Sequence, residues 1–153
     1  MAKRFRFRLE PLLKLRKGRE DEQKRAVASR VGELQRCVEH LAQLHRGVDE
    51  TIARAREDRG AERLDVPTAL AEQRWRLHLK RRITQQQGQV QGVQALLNGD
   101  RAELVRRSRN RKVIETLRQR QWQEHAAAQA REERAESDEI GAQAYRRRRD
   151  QGT

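Results

Sequence analysis

Residues 27 to 55 read VASRVGELQRCVEHLAQLHRGVDETIARA. Val27, Val31, Leu34, Val38, Leu41, His45, Val48, Ile52 and Ala55 follow one another at steps of four and three, and the pattern holds to the end. That spacing is a heptad seam, apolar at its a and d positions with one polar break at His45. Between these positions the chain is mostly Gln, Arg, Glu and Asp, with Cys37 and Leu44 the main apolar exceptions. A seam this narrow satisfies one or two partner helices and little else. The rest of the chain is therefore read by asking what packs on it.

The composition agrees with a coiled coil. Of 153 residues 39% are charged and 3% aromatic, and the prolines number two, Pro11 and Pro67. Runs of Arg, Glu, Gln, Ala and Leu with few aromatics make long helices. Disorder competes for so polar a chain. The sustained heptads argue against it in the centre, while the ends stay open to it. The net charge of +13 points to anionic partners: nucleic acid, a membrane surface or an acidic protein face. Cys37 is the single cysteine, so no internal disulfide forms. No apolar run is long enough to span a bilayer, and the basic N-terminus lacks the apolar run of a secretory signal. A cytoplasmic protein is expected.

Residues 5 to 9 alternate Phe5, Phe7 and Leu9 with arginines, as a strand would, but the alternation stops. Pro11 suits a first helical turn, so the first helix is expected from about residue 9 to about 59. Phe5 and Phe7 are either a staple on that helix start or a partner anchor. Gly18 weakens the helix, and Glu20 with Lys24 offers an i,i+4 pair. Gly60 is the expected C-terminal cap and Asp65 the N-cap of a second helix, with a turn at about 60–66. So short a connection makes the helices antiparallel neighbours.

The second helix is expected over about 67–145, with a frayed tail. Its seam runs through Leu79, Ile83, Gln86, Val90, Val93, Leu97, Asp100 and Leu104, two of them polar. Gly88 and Gly92 lie four apart and imply either close helix approach or a bend. Asn98-Gly99-Asp100 either ends the helix or is carried through it. Beyond Leu104 the register is expected to slip, because Val113, Leu117 and Trp122 fall out of phase. The fold class is all-α: one domain, a long two-helix antiparallel coiled coil with an overhanging C-terminal helix. Folded near residue 62, the hairpin sets the Arg-rich N-terminus against the basic segment 101–120 and leaves residues from about 117 without a first-helix partner.

Enzymatic signatures are missing. No Gly-rich phosphate loop ends in Lys-Ser or Lys-Thr, and Glu39-His40 belongs to no HExxH pattern. His40, His45, His78 and His125 are scattered, and His45 in the seam is a register-setting residue rather than a ligand. A two-helix hairpin has no concave pocket for chemistry. No metal and no cofactor is expected.

Residues 5–16, Phe-Arg-Phe-Arg-Leu-Glu-Pro-Leu-Leu-Lys-Leu-Arg, resemble the opening of FliJ-family proteins of the bacterial flagellar type III export apparatus. Residues 111–125, Arg-Lys-Val-Ile-Glu-Thr-Leu-Arg-Gln-Arg-Gln-Trp-Gln-Glu-His, are similar to a later segment of that family. Ser137-Asp138-Glu139-Ile140 is similar to its C-terminal acidic signature. The resemblance implies a non-enzymatic central stalk, like that of rotary ATPases, whose paired termini enter the pore of the hexameric export ATPase and promote its assembly and turnover. It implies further contacts with the ATPase's regulator, the cytoplasmic domain of the export gate and export chaperones, and a peripheral place at the inner-membrane export apparatus. Carried onto this chain, the ATPase-binding residues are Phe5, Phe7, Leu9, Leu12 and Leu13 with Arg111, Lys112, Glu115, Leu117, Arg118, Arg120 and Trp122. The gate-binding positions do not carry over, because the sequence around Gly88 and Gly92 departs from the family. Three rival readings stand beside this one: the equivalent stalk of a virulence-type secretion system, a basic coiled coil on nucleic acid, and a structural homodimer. Nucleic acid is disfavoured because the basic residues cluster at one end without an aromatic platform.

Overall fold

A computed structural model describes residues 4–60 and 65–151, the side chains of 58, 59, 150 and 151 excepted. It contains two helices, α1 (Glu10–Gly60) and α2 (Val66–Gln151). No strand forms among the described residues, since the Phe5–Phe7 alternation ends before a partner strand exists. Asp65 caps α2. Its carbonyl accepts the Ala69 amide at 3.1 Å, and its carboxylate accepts the Thr68 hydroxyl at 2.5 Å. Pro67 sits in the first turn, where a missing N–H costs nothing. Most of the expected turn, residues 61–64, lies outside the described residues. Gly60 is not the left-handed cap expected of it: no described glycine has positive φ, and α1 takes Gly60 into its last turn. Nor does Asn98-Gly99-Asp100 break α2, which runs through it.

The chain divides into two compact units, a central one (Asp21–Arg106) and a terminal one (Met1–Glu20 with Arg107–Thr153). In the central unit Arg30 pairs with Asp100, Gln86 reaches Cys37, and Leu44 packs on Leu79 and Ile83. Partner numbers fall as α1 numbers rise, so the helices are antiparallel. On α2 the seam lies where the heptads put it. Leu79, Ile83, Gln86, Val93 and Leu97 are buried, and Val90, Asp100 and Leu104 half-buried.

On α1 half of the expected seam is displaced by one residue. Val27, Leu34, Leu41, Val48 and Ala55 face inward as expected, but Arg30, Cys37, Leu44 and Thr51 take the intervening positions. Val31 and Val38 are 40% and 47% exposed, His45 is exposed, and Ile52 is half-buried at the flank. The reason lies in α2. Its seam carries Gln86 and Asp100, which need polar partners. Gln86 Nε2 donates to the Cys37 carbonyl at 3.0 Å. Gln23 Nε2 donates to the Asp100 carbonyl at 3.0 Å, and Arg30 Nε to Asp100 Oδ2 at 3.2 Å. Leaving a valine half exposed forgoes about 1 kcal/mol of burial. Leaving a buried amide such as Gln86 unsatisfied costs about 1–3 kcal/mol. The polar partners win, and Leu44 takes the place read for His45. Thr51, buried further along the same seam, satisfies its own hydroxyl on the Gly47 carbonyl at 2.8 Å.

The close approach also falls elsewhere than expected. Beside Gly88 and Gly92 nothing lies within 4 Å of where a Cβ would stand, so neither marks a helix contact. Gly47 does: a Cβ there would lie 3.7 Å from Leu79 Cδ1.

Leu97→Ala, at a position 2% exposed, is expected to destabilise the protein by about 2–4 kcal/mol. Val38→Ala is expected to cost about 0.5 kcal/mol or less. Urea unfolding followed by circular dichroism compares them, and equal losses would return Val38 to the seam.

Candidate partner-binding site

The terminal unit is built from the N-terminal stretch, the start of α1 and the second half of α2. The Glu10 amide donates to the Phe7 carbonyl at 3.3 Å, which turns the chain into α1. Phe7 then folds back onto the helix, as a hydrophobic staple does. Phe7, Leu13 and Ile114 form a buried cluster, with Phe5, Leu12 and Leu117 packed around it. The Phe5 ring lies 5.5 Å from the His125 imidazole at 60°.

The seam of α2 does not slip beyond Leu104, as the apolar pattern suggests. The three–four spacing continues through Arg107, Arg111 and Ile114, all buried or half-buried, while Val113 and Trp122 are 64% and 55% exposed. An arginine at a seam position buries its methylene stem and carries its head to a partner. Arg107 Nη1 donates to the Arg19 carbonyl at 2.8 Å, and Arg16 Nη1 to the Asn110 carbonyl at 2.6 Å. Arg111 binds Glu20 and Glu115 together. Glu20 is 5% exposed, so this ion pair is largely removed from water. Arg118 Nε meets Glu10 Oε2 at 3.2 Å. Contacts to the N-terminal segment therefore extend past residue 117 to His125, and the overhang starts later than expected. From residue 130 to 149 every side chain is exposed.

The hydrogen bond that Arg111 donates to Glu20, reinforced by Glu115, raises the Arg111 pKa against the opposing effect of burial. A raised arginine pKa means that the stabilisation is fully present below the ordinary arginine range. It is lost only at extreme alkaline pH, so the Arg111 guanidinium stays charged under physiological conditions.

All twelve residues read as ATPase-binding belong to this unit, but they do different things in it. Phe7 and Leu13 are interior, and Phe5, Leu12 and Leu117 are half-buried around them. Arg111 and Arg118 are tied to α1 carboxylates, and Arg120 to Glu124 at 3.1 Å. Leu9, Lys112, Glu115 and Trp122 are exposed. Glu10, Glu20, Ile114 and His125 hold the unit together and were not read as part of the site from sequence, where Glu20 entered only as a pair for Lys24 and His125 only as one of four scattered histidines. The heptad spacing extended through Arg107 and Arg111 would have found Ile114. A groove of about 540 Å³ is lined by Arg4, Phe5, Glu115, Arg118, Gln119 and Trp122. Among the described residues no group of three or more His, Cys, Asp or Glu could hold a metal. No described helix is long and apolar enough to cross a membrane.

Residues 5–150 match the family model of the flagellar FliJ protein. No curated protein and no solved structure matches the chain.

Arg111→Gln removes the cation that faces buried Glu20, whereas Lys112→Gln changes an exposed side chain. The first is expected to lower the thermal midpoint by several degrees, roughly a 1 kcal/mol effect or more, and the second to leave it unchanged. Melting curves of the two variants test this, and equal midpoints would remove the structural role of Arg111.

Proposed function

The chain belongs to the FliJ family of flagellar proteins, and we propose that within flagellar protein export it is the central stalk of the hexameric export ATPase. On this reading the terminal unit enters the pore of the ATPase ring, promotes ring assembly and stimulates turnover. The protein performs no chemistry itself. It links the ATPase and its regulator to the cytoplasmic domain of the export gate and to export chaperones, in the cytoplasm and peripherally at the inner membrane.

One observation carries the reading. The two basic stretches of the sequence are packed into one unit, and α2 continues from it with every described side chain from 130 to 149 exposed. Residues 4–20 hold seven Lys and Arg against two Glu, and residues 107–125 hold six against two. A positive element with a small apolar core suits a ring-shaped anionic partner. Charge attracts over about a Debye length without locking one orientation, which an element that turns or shifts in a pore requires. The buried places of Phe7 and Leu13 and the ion pairs of Arg111 divide the twelve residues by role. These three maintain the element, and Leu9, Lys112, Arg120 and Trp122 meet the partner.

The test is ATP hydrolysis by the cognate export ATPase with and without this protein, with ATPase oligomer size read by light scattering. Stimulation is expected together with hexamer formation. Lys112→Gln combined with Arg120→Gln is expected to halve the stimulation, roughly, at about 0.05 M salt, and to differ little from the parent at about 0.5 M. Absence of both stimulation and hexamer formation overturns the stalk reading.

A further inference from the structure

Glu115, Arg118, Gln119 and Trp122 lie on one face of α2, at successive steps of three, one and three. Arg4 and Phe5 of the N-terminal stretch line the same groove, about 540 Å³ in volume. Its two aromatic walls differ. The Phe5 ring is held in place, against the Phe7–Leu13–Ile114 cluster and 5.5 Å from the His125 ring. The Trp122 indole is 55% exposed. A large aromatic surface thus stands half open to water beside a fixed one, with Arg4 and Arg118 at the rim.

We infer that this groove is a docking site for an acidic peptide segment that anchors itself with one bulky apolar side chain between Phe5 and Trp122. The anchor covers the open indole, and Trp is the residue type that most often dominates binding when so covered. The acidic character follows from the surroundings: seven basic residues against two Glu in residues 4–20, and six against two in 107–125. Glu115 and Gln119 offer acceptors to the peptide's backbone N–H groups. A single-stranded nucleic acid fits less well. Base stacking needs successive aromatic faces, whereas Trp122 is the one exposed aromatic lining the groove. The assignment goes beyond the stalk reading, because it defines the recognised chemistry whichever protein supplies the peptide.

The probe is a fluorescein-labelled peptide of about eight residues, Asp and Glu around a central Leu-Phe pair, titrated with the full chain by fluorescence anisotropy. Binding is expected to weaken with salt. Trp122→Ala is expected to weaken it by about tenfold or more, and replacing Leu-Phe by Ser-Ser in the peptide to do the same. Arg4→Ser flattens the salt dependence, and Trp75→Ala, in the central unit, leaves affinity unchanged. Circular dichroism checks that each variant keeps its helix content. The inference is overturned if the Ser-Ser peptide binds as tightly as the parent peptide, or if Trp122→Ala binds as well as the unaltered chain. It is also overturned if an oligothymidylate of equal charge binds more tightly than the peptide in a Trp122-dependent way.

Discussion

The polar side chains at the helix–helix contact control the pairing of α1 with α2. Gln86 and Asp100 lie in the apolar seam of α2, and Glu20 and Gln23 in that of α1. Each is satisfied across the interface: Gln86 on the Cys37 carbonyl, Gln23 on the Asp100 carbonyl, Asp100 by Arg30, Glu20 by Arg111. Leucine and valine contacts favour burial but tolerate sliding by a heptad. A buried amide or carboxylate does not, because its partner must stand at one place. The registers of both units therefore rest on a few directional bonds set among modest apolar contacts.

The same economy shapes the terminal unit. A unit so rich in arginine faces a conflict, since like charges packed together repel. Here the conflict is reduced by giving some arginines structural work. Arg16 and Arg107 cap carbonyls of the opposite helix, and Arg111 and Arg118 neutralise Glu20 and Glu10. The remaining cations face water over a small apolar cluster around Phe7 and Ile114. Substituting an arginine in this unit thus perturbs stability at some positions and only an exposed charge at others.

The C-terminal half-turns of α2 pose the opposite problem, a helix with nothing to pack on. From residue 130 onward it relies on Ala, Gln, Glu and Arg, which lose little in adopting a helix, and on local pairs such as Gln143 with Glu139 at 3.3 Å. An exposed helix lacks the tertiary packing that supplies most helical stability in proteins. Continuity with the packed part of α2 removes the cost of nucleating it afresh.

Much of the architecture was written in the sequence alone. Heptad spacing and scarce prolines determined two long helices, and Asp65-Val66-Pro67 marked where the second begins. The α2 seam from Leu79 to Leu104 was legible because most of its positions are apolar. On α1, apolar residues occupy both candidate phases, Val31 and Val38 in one, Cys37 and Leu44 in the other, so spacing alone could not choose. The choice depended on Gln86 and Asp100, far along the chain, and on what they needed as partners. The site divided in the same way. Its candidate residues came from the family resemblance, and the hairpin reading only brought the two stretches that hold them together. Which of them are interior, like Phe7 and Leu13, and which face water, like Lys112 and Trp122, was decided by tertiary structure. A basic side chain reads the same in sequence whether it is solvated or salt-bridged, and only a carboxylate brought against it, as Glu20 is against Arg111, tells the two apart.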